Sequence, residues 1–322
     1  MKVLRTVAIG LAGLVLVGLG LYAWASYAAS RKLSKSYATH RVDFPIPFPL
    51  SHQEVRSERL AAESAERRAR AEALERGRHL VESRYGCGGC HGTDFGGGVM
   101  VDNPAIGRIL GPNLTDGKGS ATVGYRGADW DRIVRHGVKR NGTPAVMPSQ
   151  DFRQMSDQEL SDIVVFLGSQ PPVDRQVPPP KLGPVGKMLV ASGKFTLSAD
   201  LIDPHDTPHA EVPPEAGLTI EFGRHVATTC MGCHRDDLGG GPIVGGDPSW
   251  PPAANLTPGP EGLGPWTFTQ FARTMREGKL PDGTALRPPM TNVTAYAQRM
   301  TQTELQALWS YLRSVPAVAD RE

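Results

Sequence analysis

All four cysteines of the 322-residue chain fall into two five-residue patterns, Cys87-Gly88-Gly89-Cys90-His91 and Cys230-Met231-Gly232-Cys233-His234. C-x-x-C-H is the spacing at which two thiols can add to the two vinyl groups of one porphyrin while the adjoining imidazole sits beneath its iron. A thioredoxin-like dithiol, a Cys/His zinc site and structural cysteines are the competing uses of such residues. Two repeats of the full pattern, behind an export signal, favour covalent haem over all three. No cysteine is left over for a disulfide. The 28 prolines and 37 glycines concentrate between the helical patterns. Such a chain reads as compact helices joined by long irregular loops, with a cofactor filling the interior.

An electron-transfer iron in this setting takes a second axial ligand, and a soft Met thioether holds the potential high by favouring reduced iron. Met147 follows His91 by 56 residues, and Met290 follows His234 by the same 56. Each Met precedes a capping box, Ser156-Asp157-Gln158-Glu159 or Thr301-Gln302-Thr303-Glu304. The helices behind them carry Leu160, Ile163, Val164 and Leu167, or Leu305, Leu308, Trp309 and Leu312, at identical i, i+3, i+4, i+7 spacing. The repeat runs upstream as well, pairing Gly77-Arg78-His79 with Gly223-Arg224-His225 and Asn113-Leu114-Thr115 with Asn255-Leu256-Thr257. A middle helix ends at Gly137 or Gly278, and Asn141-Gly142-Thr143 or Asp282-Gly283-Thr284 then turns the chain toward the Met loop.

Met290 is followed by Thr291, unlike Met147-Pro148, which leaves Met300 as a competitor; Met300 aligns with Met155, a position that packs against the following helix. Met100, Met188, Met231 and Met275 read as packing or loop residues. His136 could replace Met147, but it stands beside Arg135 where the second copy has Glu277, and reads as exposed. His205 and His209 could hold a metal, yet Pro204, Pro208, Pro213 and Pro214 interrupt any helix there and point to a solvated loop. Trp130 and Phe271 align, as do Val134 and Met275, as core residues walling each cofactor, and Trp266, Tyr125 and Arg126 could meet its propionates.

Lys2 and Arg5 precede an uncharged run of 25 residues, Thr6 to Ser30. At about 1.5 Å per residue this spans more than the roughly 30 Å hydrocarbon core, whereas a signal peptide's apolar region is about 7–15 residues. Its length favours an uncleaved anchor; a signal peptide cut after Ala23-Trp24-Ala25 is the other reading. Tyr22, Trp24 and Tyr27 suit an interfacial belt, while Arg31, Lys32 and Lys35 rival the N-terminal charge and leave orientation open. Ser51-His52-Gln53-Glu54 caps an Ala/Glu/Arg stretch reaching about Glu82, with Glu63–Arg67, Glu66–Arg70 and Glu72–Arg76 at i, i+4. This reads as one long exposed helix, either a stalk or an extended first helix of the unit behind it. The stretches Val42–Leu50 and Gln170–Pro184 read as semi-rigid spacers, and Val185–Pro214 as an insert that could contact a partner. With 35 basic against 33 acidic residues, nothing calls for nucleic acid.

The order GRH, CxxCH, PNLT, short amphipathic helix, MP and C-terminal helix resembles the cytochrome c family over roughly Arg76–Val173 and Leu218–Val318. It is similar to the multi-haem cytochrome subunits that accompany periplasmic alcohol, aldehyde and gluconate dehydrogenases, which usually carry three haems where this chain has motifs for two. The resemblance implies an all-α fold, with N- and C-terminal helices crossing and the haem in a crevice with one edge near solvent. It also implies that the Pro112 carbonyl, in Gly111-Pro112-Asn113-Leu114, accepts a hydrogen bond from His91; the aligned residue of the second copy is Ala254. Assembly of such cytochromes outside the cytoplasm implies a single pass through a bacterial inner membrane, N-terminus inside and haem domains on the periplasmic side.

The expected plan is an N-terminal membrane anchor (1–35), a periplasmic stalk and helix (36–75), a first cytochrome c domain (76–173), a Pro-rich linker or insert (174–217) and a second cytochrome c domain (218–322). Two haem c groups would be held by Cys87, Cys90 and His91 with Met147, and by Cys230, Cys233 and His234 with Met290. Function is then a one-electron relay with no catalytic residues and no small-molecule substrate. It would run between a membrane or periplasmic dehydrogenase or quinol-oxidising complex and a terminal oxidase or soluble cytochrome, as a subunit of a larger respiratory complex. A di-haem peroxidase is the alternative, but it needs one iron with a displaceable sixth ligand, and the equal Met spacing argues against that. A haem-based sensor or structural subunit is weaker still.

Overall fold

The computed structural model describes residues 2–40, 42–243 and 249–321; Met1 and Glu322, the outer limits of the expected anchor and second domain, lie outside them. In chain order the elements are α1 (Lys2–Leu33), α2 (His52–Ser57), α3 (Ala62–His79), α4 (Gly88–His91), strands β1 (Gly98–Asn103) and β2 (Gly107–Gly111), α5 (Gly127–His136), α6 (Asp157–Gly168), strand β3 (Lys181–Leu182), α7 (Pro184–Ser192), α8 (Ser198–Leu201), α9 (Ile220–Ala227), α10 (Met231–His234), α11 (Phe268–Glu277), α12 (Met290–Ala297) and α13 (Gln302–Ser314).

Two separate apolar cores follow the duplication. One gathers Leu80, Val81, Tyr85, Trp130 and Leu160. The other gathers Phe222, Val226, Phe271, Leu305 and Leu308. Each is closed by a crossing of its first and last helices, α3 on α6 and α9 on α13. The glycine of each GRH sits where the backbones touch: a Cβ at Gly77 would lie 2.0 Å from the Asp162 carbonyl oxygen, and one at Gly223 would lie 2.1 Å from that of Ala307. The capping boxes form as expected at Ser156/Glu159 and Thr301/Glu304.

The repeat extends to individual hydrogen bonds. Gly137 and Gly278 end the middle helices in left-handed conformations, φ 66° and 67°, where a side chain would be strained. The Asn113 amide donates to the Val173 carbonyl at 2.7 Å, and that of Asn255 to the Val318 carbonyl at 2.7 Å. In both copies the Asn-Leu-Thr motif therefore clamps the chain that leaves the last helix.

The fold departs from the all-α expectation in one place. β1 and β2 pair antiparallel from Gly98↔Gly111 to Asn103↔Gly107, and β3 adds to β2. This ribbon forms because Gly98 and Gly111 lie on the Cys90 carbonyl oxygen, a Cβ at Gly111 falling 2.1 Å from it, so the hairpin is seated on α4. Among the described residues, the second copy has only the isolated bridge Gly241↔Ala253 there.

The long helix expected from Ser51 is two helices. Its capping box closes the six-residue α2, and the chain then reverses at Arg59, φ 51°, with no Gly or Pro to announce the break. Glu63–Arg67 and Glu72–Arg76 pair as expected at 2.5 and 3.2 Å. Glu66 and Arg70 do not pair among the described residues; Arg68 instead bonds Glu72 at 2.7 Å, and Arg76 crosses to Asp162 at 2.6 Å.

Neither spacer hangs free. Phe44 and Phe48 are buried, and the Ser161 hydroxyl donates to the Pro45 carbonyl at 2.9 Å. After α6, Arg175 pairs with Asp94 at 3.0 Å. The insert's α7 lies along the C-terminal part of α1, where Ala25 and Ala29 are buried, with Lys32 donating to the Val190 carbonyl at 2.9 Å. The helix Val3–Leu33, whose most apolar 18-residue window has a mean hydropathy of 2.1, is long and apolar enough to cross a membrane.

Candidate haem sites

In each C-x-x-C-H the cysteines and histidine share one helical turn, α4 or α10, so positions i, i+3 and i+4 lie on one face. The chain leaves that turn in a left-handed conformation, at Gly92 (φ 81°) and at Arg235 (φ 69°). His91 Nδ1 donates to the Pro112 carbonyl at 2.9 Å, and His234 Nδ1 donates to the Ala254 carbonyl at 2.7 Å. A carbonyl can only accept, so each Nδ1 carries the proton and each Nε2 keeps a lone pair for a metal. Cys87 and Leu114 pack against the first core, Cys230 and Leu256 against the second.

Burial of the sulfurs pushes Cys87 up to about 12 and Cys230 and Cys233 up to about 11. That is the reverse of the lowered values that make a cysteine a nucleophile or an exchange dithiol. Burial also lowers His91 and His234 from their ordinary values, keeping the imidazoles neutral. Paired thiols on one turn beside an oriented, neutral imidazole fit two covalently bound haem c groups.

The two candidate methionines have different surroundings. Met147 lies in a loop between the Val138↔Pro144 bridge and the turn Ser149–Asp151, its carbonyl accepting from Ser149 N at 2.8 Å and from the Ser198 hydroxyl. Met290, expected in a matching loop, instead opens α12 and packs partly buried against the second core. Without a proline after it, the chain coils directly from Met290 onward. Met155 and Met300 are buried under their C-terminal helices, as are Trp130, Phe271 and Met275 in the cores. Tyr125 stacks edge-on against Trp130 at 5.5 Å, Arg126 caps α5, and Trp266 packs on the second core.

The segment after each candidate Met leans on the other copy's cysteine motif. A Cβ at Gly86 would lie 2.5 Å from the Tyr296 ring, and one at Gly232 would overlap the Asp151 carboxylate at 1.7 Å. Tyr296 is raised above its ordinary value by burial and by the nearby Cys230, Asp151, Cys233 and Cys87, so it stands between both cysteine pairs. Burial pushes Asp151 up to about 7.

The GRH histidines exchange partners across the same seam: His79 Nε2 meets Glu304 at 2.9 Å and His225 Nε2 meets Glu159 at 2.8 Å. Buried Arg84 bridges both glutamates, at 2.7 Å to Glu159 and 2.8 Å to Glu304. Sequence reading had these glutamates as helix caps only; the motif shared by both copies was the available signal that they do more.

One further expectation is overturned: His136 is 1% exposed, not a surface residue. His205 and His209 do lie in an irregular, mostly exposed loop, but their half-buried rings turn inward and close over His136 with His40. Proline rules out a helix there, yet an irregular loop can aim two imidazoles as well. Burial and the charges of His209, His40 and His205 push His136 down to about 3, and burial and Arg135 push His209 down to about 3, so both are neutral.

Residues 221–316 match the family described as cytochrome c, and residues 72–167 match that described as cytochrome c oxidase, cbb3-type, subunit III. The chain is 27% identical over 250 residues to the cytochrome c subunit of a quinone alcohol dehydrogenase from Gluconacetobacter polyoxogenes, covering 71% of this chain and 52% of that one. It is 25% identical over 268 residues to the fructose dehydrogenase cytochrome subunit of Gluconobacter japonicus (77% and 54%). A dihaem c-type cytochrome of Cereibacter sphaeroides is 25% identical over 258 residues (72% and 83%). The chain thus spans about half the length of the two dehydrogenase subunits it matches. Two tandem cytochrome c domains, built by duplication, make up the greater part of this chain, and it is homologous to the cytochrome c subunits of quinone alcohol and fructose dehydrogenases.

Proposed function

We propose that the chain is a di-haem electron carrier, tethered by α1 to a bacterial inner membrane with both haem domains on the periplasmic side. It would relay single electrons from a membrane or periplasmic dehydrogenase or quinol-oxidising complex to a terminal oxidase or soluble cytochrome, as a subunit of a larger complex. The observation that carries this is the duplicated C-x-x-C-H turn with its imidazole held by a backbone carbonyl at 2.9 and 2.7 Å.

In this reading Cys87 and Cys90, and Cys230 and Cys233, form the thioether links. His91 and His234 present Nε2 to the irons, with Pro112 and Ala254 holding their orientation and raising their basicity. Met147 and Met290 supply the sixth ligands, which leaves no coordination position for a substrate. The bound haem supplies the one-electron couple. The protein contributes position: Tyr296 and Asp151 hold the two cysteine motifs against each other, which supports electron exchange within the chain. Dehydrogenase partners are supported by the relatives' own associations, and an anchored location by the length of α1.

The test is spectroscopy of the full chain made in a host competent for cytochrome maturation. The expected result is a mass gain of two haems, no carbon monoxide binding by wild type, and carbon monoxide binding by Met147→Ala and by Met290→Ala. Colourless protein overturns the haem reading. Ready carbon monoxide binding or peroxide turnover by wild type overturns the relay in favour of a peroxidase.

A further inference from the structure

Beneath α5 a set of ionisable side chains converges that the second copy does not repeat. Asp131 and His136 come from α5 itself, His40 from the stretch after the anchor, and His205 and His209 from the insert. Where α5 has Asp131 and His136, α11 has Ala272 and Glu277. The haem-bearing motifs of the two copies agree down to single hydrogen bonds, and this cluster has no counterpart in the second copy, so it is not part of the haem domain's common design.

Hydrogen bonds decide which ring atoms face inward. His205 Nε2 lies 3.0 Å from the Ala199 carbonyl, which can only accept, so that nitrogen carries a proton, and in the corresponding imidazole tautomer Nδ1 has the lone pair. His136 Nδ1, 3.1 Å from His205 Nδ1, must then be the donor. This leaves His136 Nε2 as a lone pair directed at His40 Nε2, 3.3 Å away, and His209 Nε2, 3.2 Å away. The Asp131 carboxylate completes the group. Its Oδ2 lies 3.2 Å from His40 Nε2 and 3.7 Å from His136 Nε2, and its Oδ1 lies 3.5 Å from His209 Nε2. Arg135 donates to Oδ1 at 2.8 Å, but Oδ2, on a residue 1% exposed, receives no well-aligned hydrogen bond and has His40 Nε2 at 3.2 Å as its ion-pair contact. A buried carboxylate oxygen without a well-aligned donor costs about 1–3 kcal/mol.

A divalent ion with four ligands at about 2.0–2.1 Å places them on a tetrahedron with edges of about 3.3–3.4 Å. Five contacts among these side chains fall between 3.2 and 3.7 Å, close to that edge, and one ligand atom from each of the four residues lies within 4.8 Å of the others.

We propose that His40, Asp131, His136 and His209 bind a zinc ion, with His205 fixing the ring of His136 from behind. Three imidazoles and one carboxylate suit zinc, and four protein ligands close the site, so its role is structural. Arg135 does not block it, because the guanidinium holds Oδ1 and also pairs with Asp157 at 2.7 Å, so two carboxylates offset the added charge. The ion would join the stretch that leaves the anchor, the first haem domain and the insert, setting that domain's position over the membrane.

The experiment measures zinc and iron by mass spectrometry in the full haem-loaded chain, purified in detergent after growth with zinc sulfate and passed through metal-free buffer. One zinc to two irons is expected, with zinc absorption spectra showing nitrogen and oxygen neighbours at about 2.0–2.1 Å. Asp131→Asn and His209→Gln should each lower zinc at least about tenfold while keeping both irons and the visible spectrum. His52→Gln, on exposed α2, should keep it. Wild-type protein essentially free of zinc, or undiminished zinc in His209→Gln, overturns the proposal; the wild-type measurement stands even if Asp131→Asn does not fold.

Discussion

Replacing Arg84 by methionine removes the guanidinium that joins the two copies through their capping glutamates. The Arg84 side chain is 6% exposed and lies 2.7 Å from Glu159 and 2.8 Å from Glu304, both buried. Removing one partner of a buried ion pair costs about 3–5 kcal/mol, because the remaining charge is stranded. Here two carboxylates are stranded together, but each keeps other donors: Ser156 N at 2.9 Å and His225 at 2.8 Å for Glu159, Thr301 N at 2.8 Å and His79 at 2.9 Å for Glu304. These put the loss at the lower end, about 3 kcal/mol. At about 2–4 °C per kcal/mol for a unit of this size, the midpoint of thermal melting falls by about 6–12 °C. The assay is a melt of the haem-loaded protein followed by near-UV circular dichroism. Glu304→Gln in the same background should recover part of the loss, since it removes one of two facing charges, giving a coupling of about 1 kcal/mol or more in the double-mutant cycle. A melting point within about 2 °C of wild type, or strictly additive losses, would refute the bridging role.

The same seam has a pH dependence of definite sign. Burial alone would raise Glu304, but the hydrogen bond from His79 and the charge of Arg84 outweigh it and hold the carboxyl at about 2, below its ordinary 4.5. Its contribution is therefore complete above pH 4.5 and is lost as pH falls toward 2. Chemical denaturation at stepped pH should show a constant gap between wild type and Glu304→Gln from neutral pH to about 5, narrowing below it; an unchanged gap at pH 3 contradicts the assignment. At the helix crossings, Gly77→Ala and Gly223→Ala force a methyl to within 2.0 and 2.1 Å of a carbonyl oxygen. Each should cost about 1–3 kcal/mol as the helices separate. Denaturation curves matching wild type would show that the backbones do not meet there.

Everything the chain states locally was readable before any coordinates. The haem-attachment turns, the capping boxes and the left-handed stops at Gly137 and Gly278 depend on residues a few positions apart, where bonding geometry is dictated by spacing alone. The duplication then assigned matching places to distant residues, including the Asn113 and Asn255 clamps. Tertiary structure decided the rest. The β1–β2 ribbon arises from packing against α4, and the break falls at Arg59, an exposed residue with φ 51° that no Gly or Pro announces. His136 meets His40 and His209 across 96 and 73 residues, and Arg84 meets Glu304 across 220. Such partners carry no local periodicity. Only the folded chain brings those charges into a space from which water is excluded, and that exclusion gives them the strength to define a site.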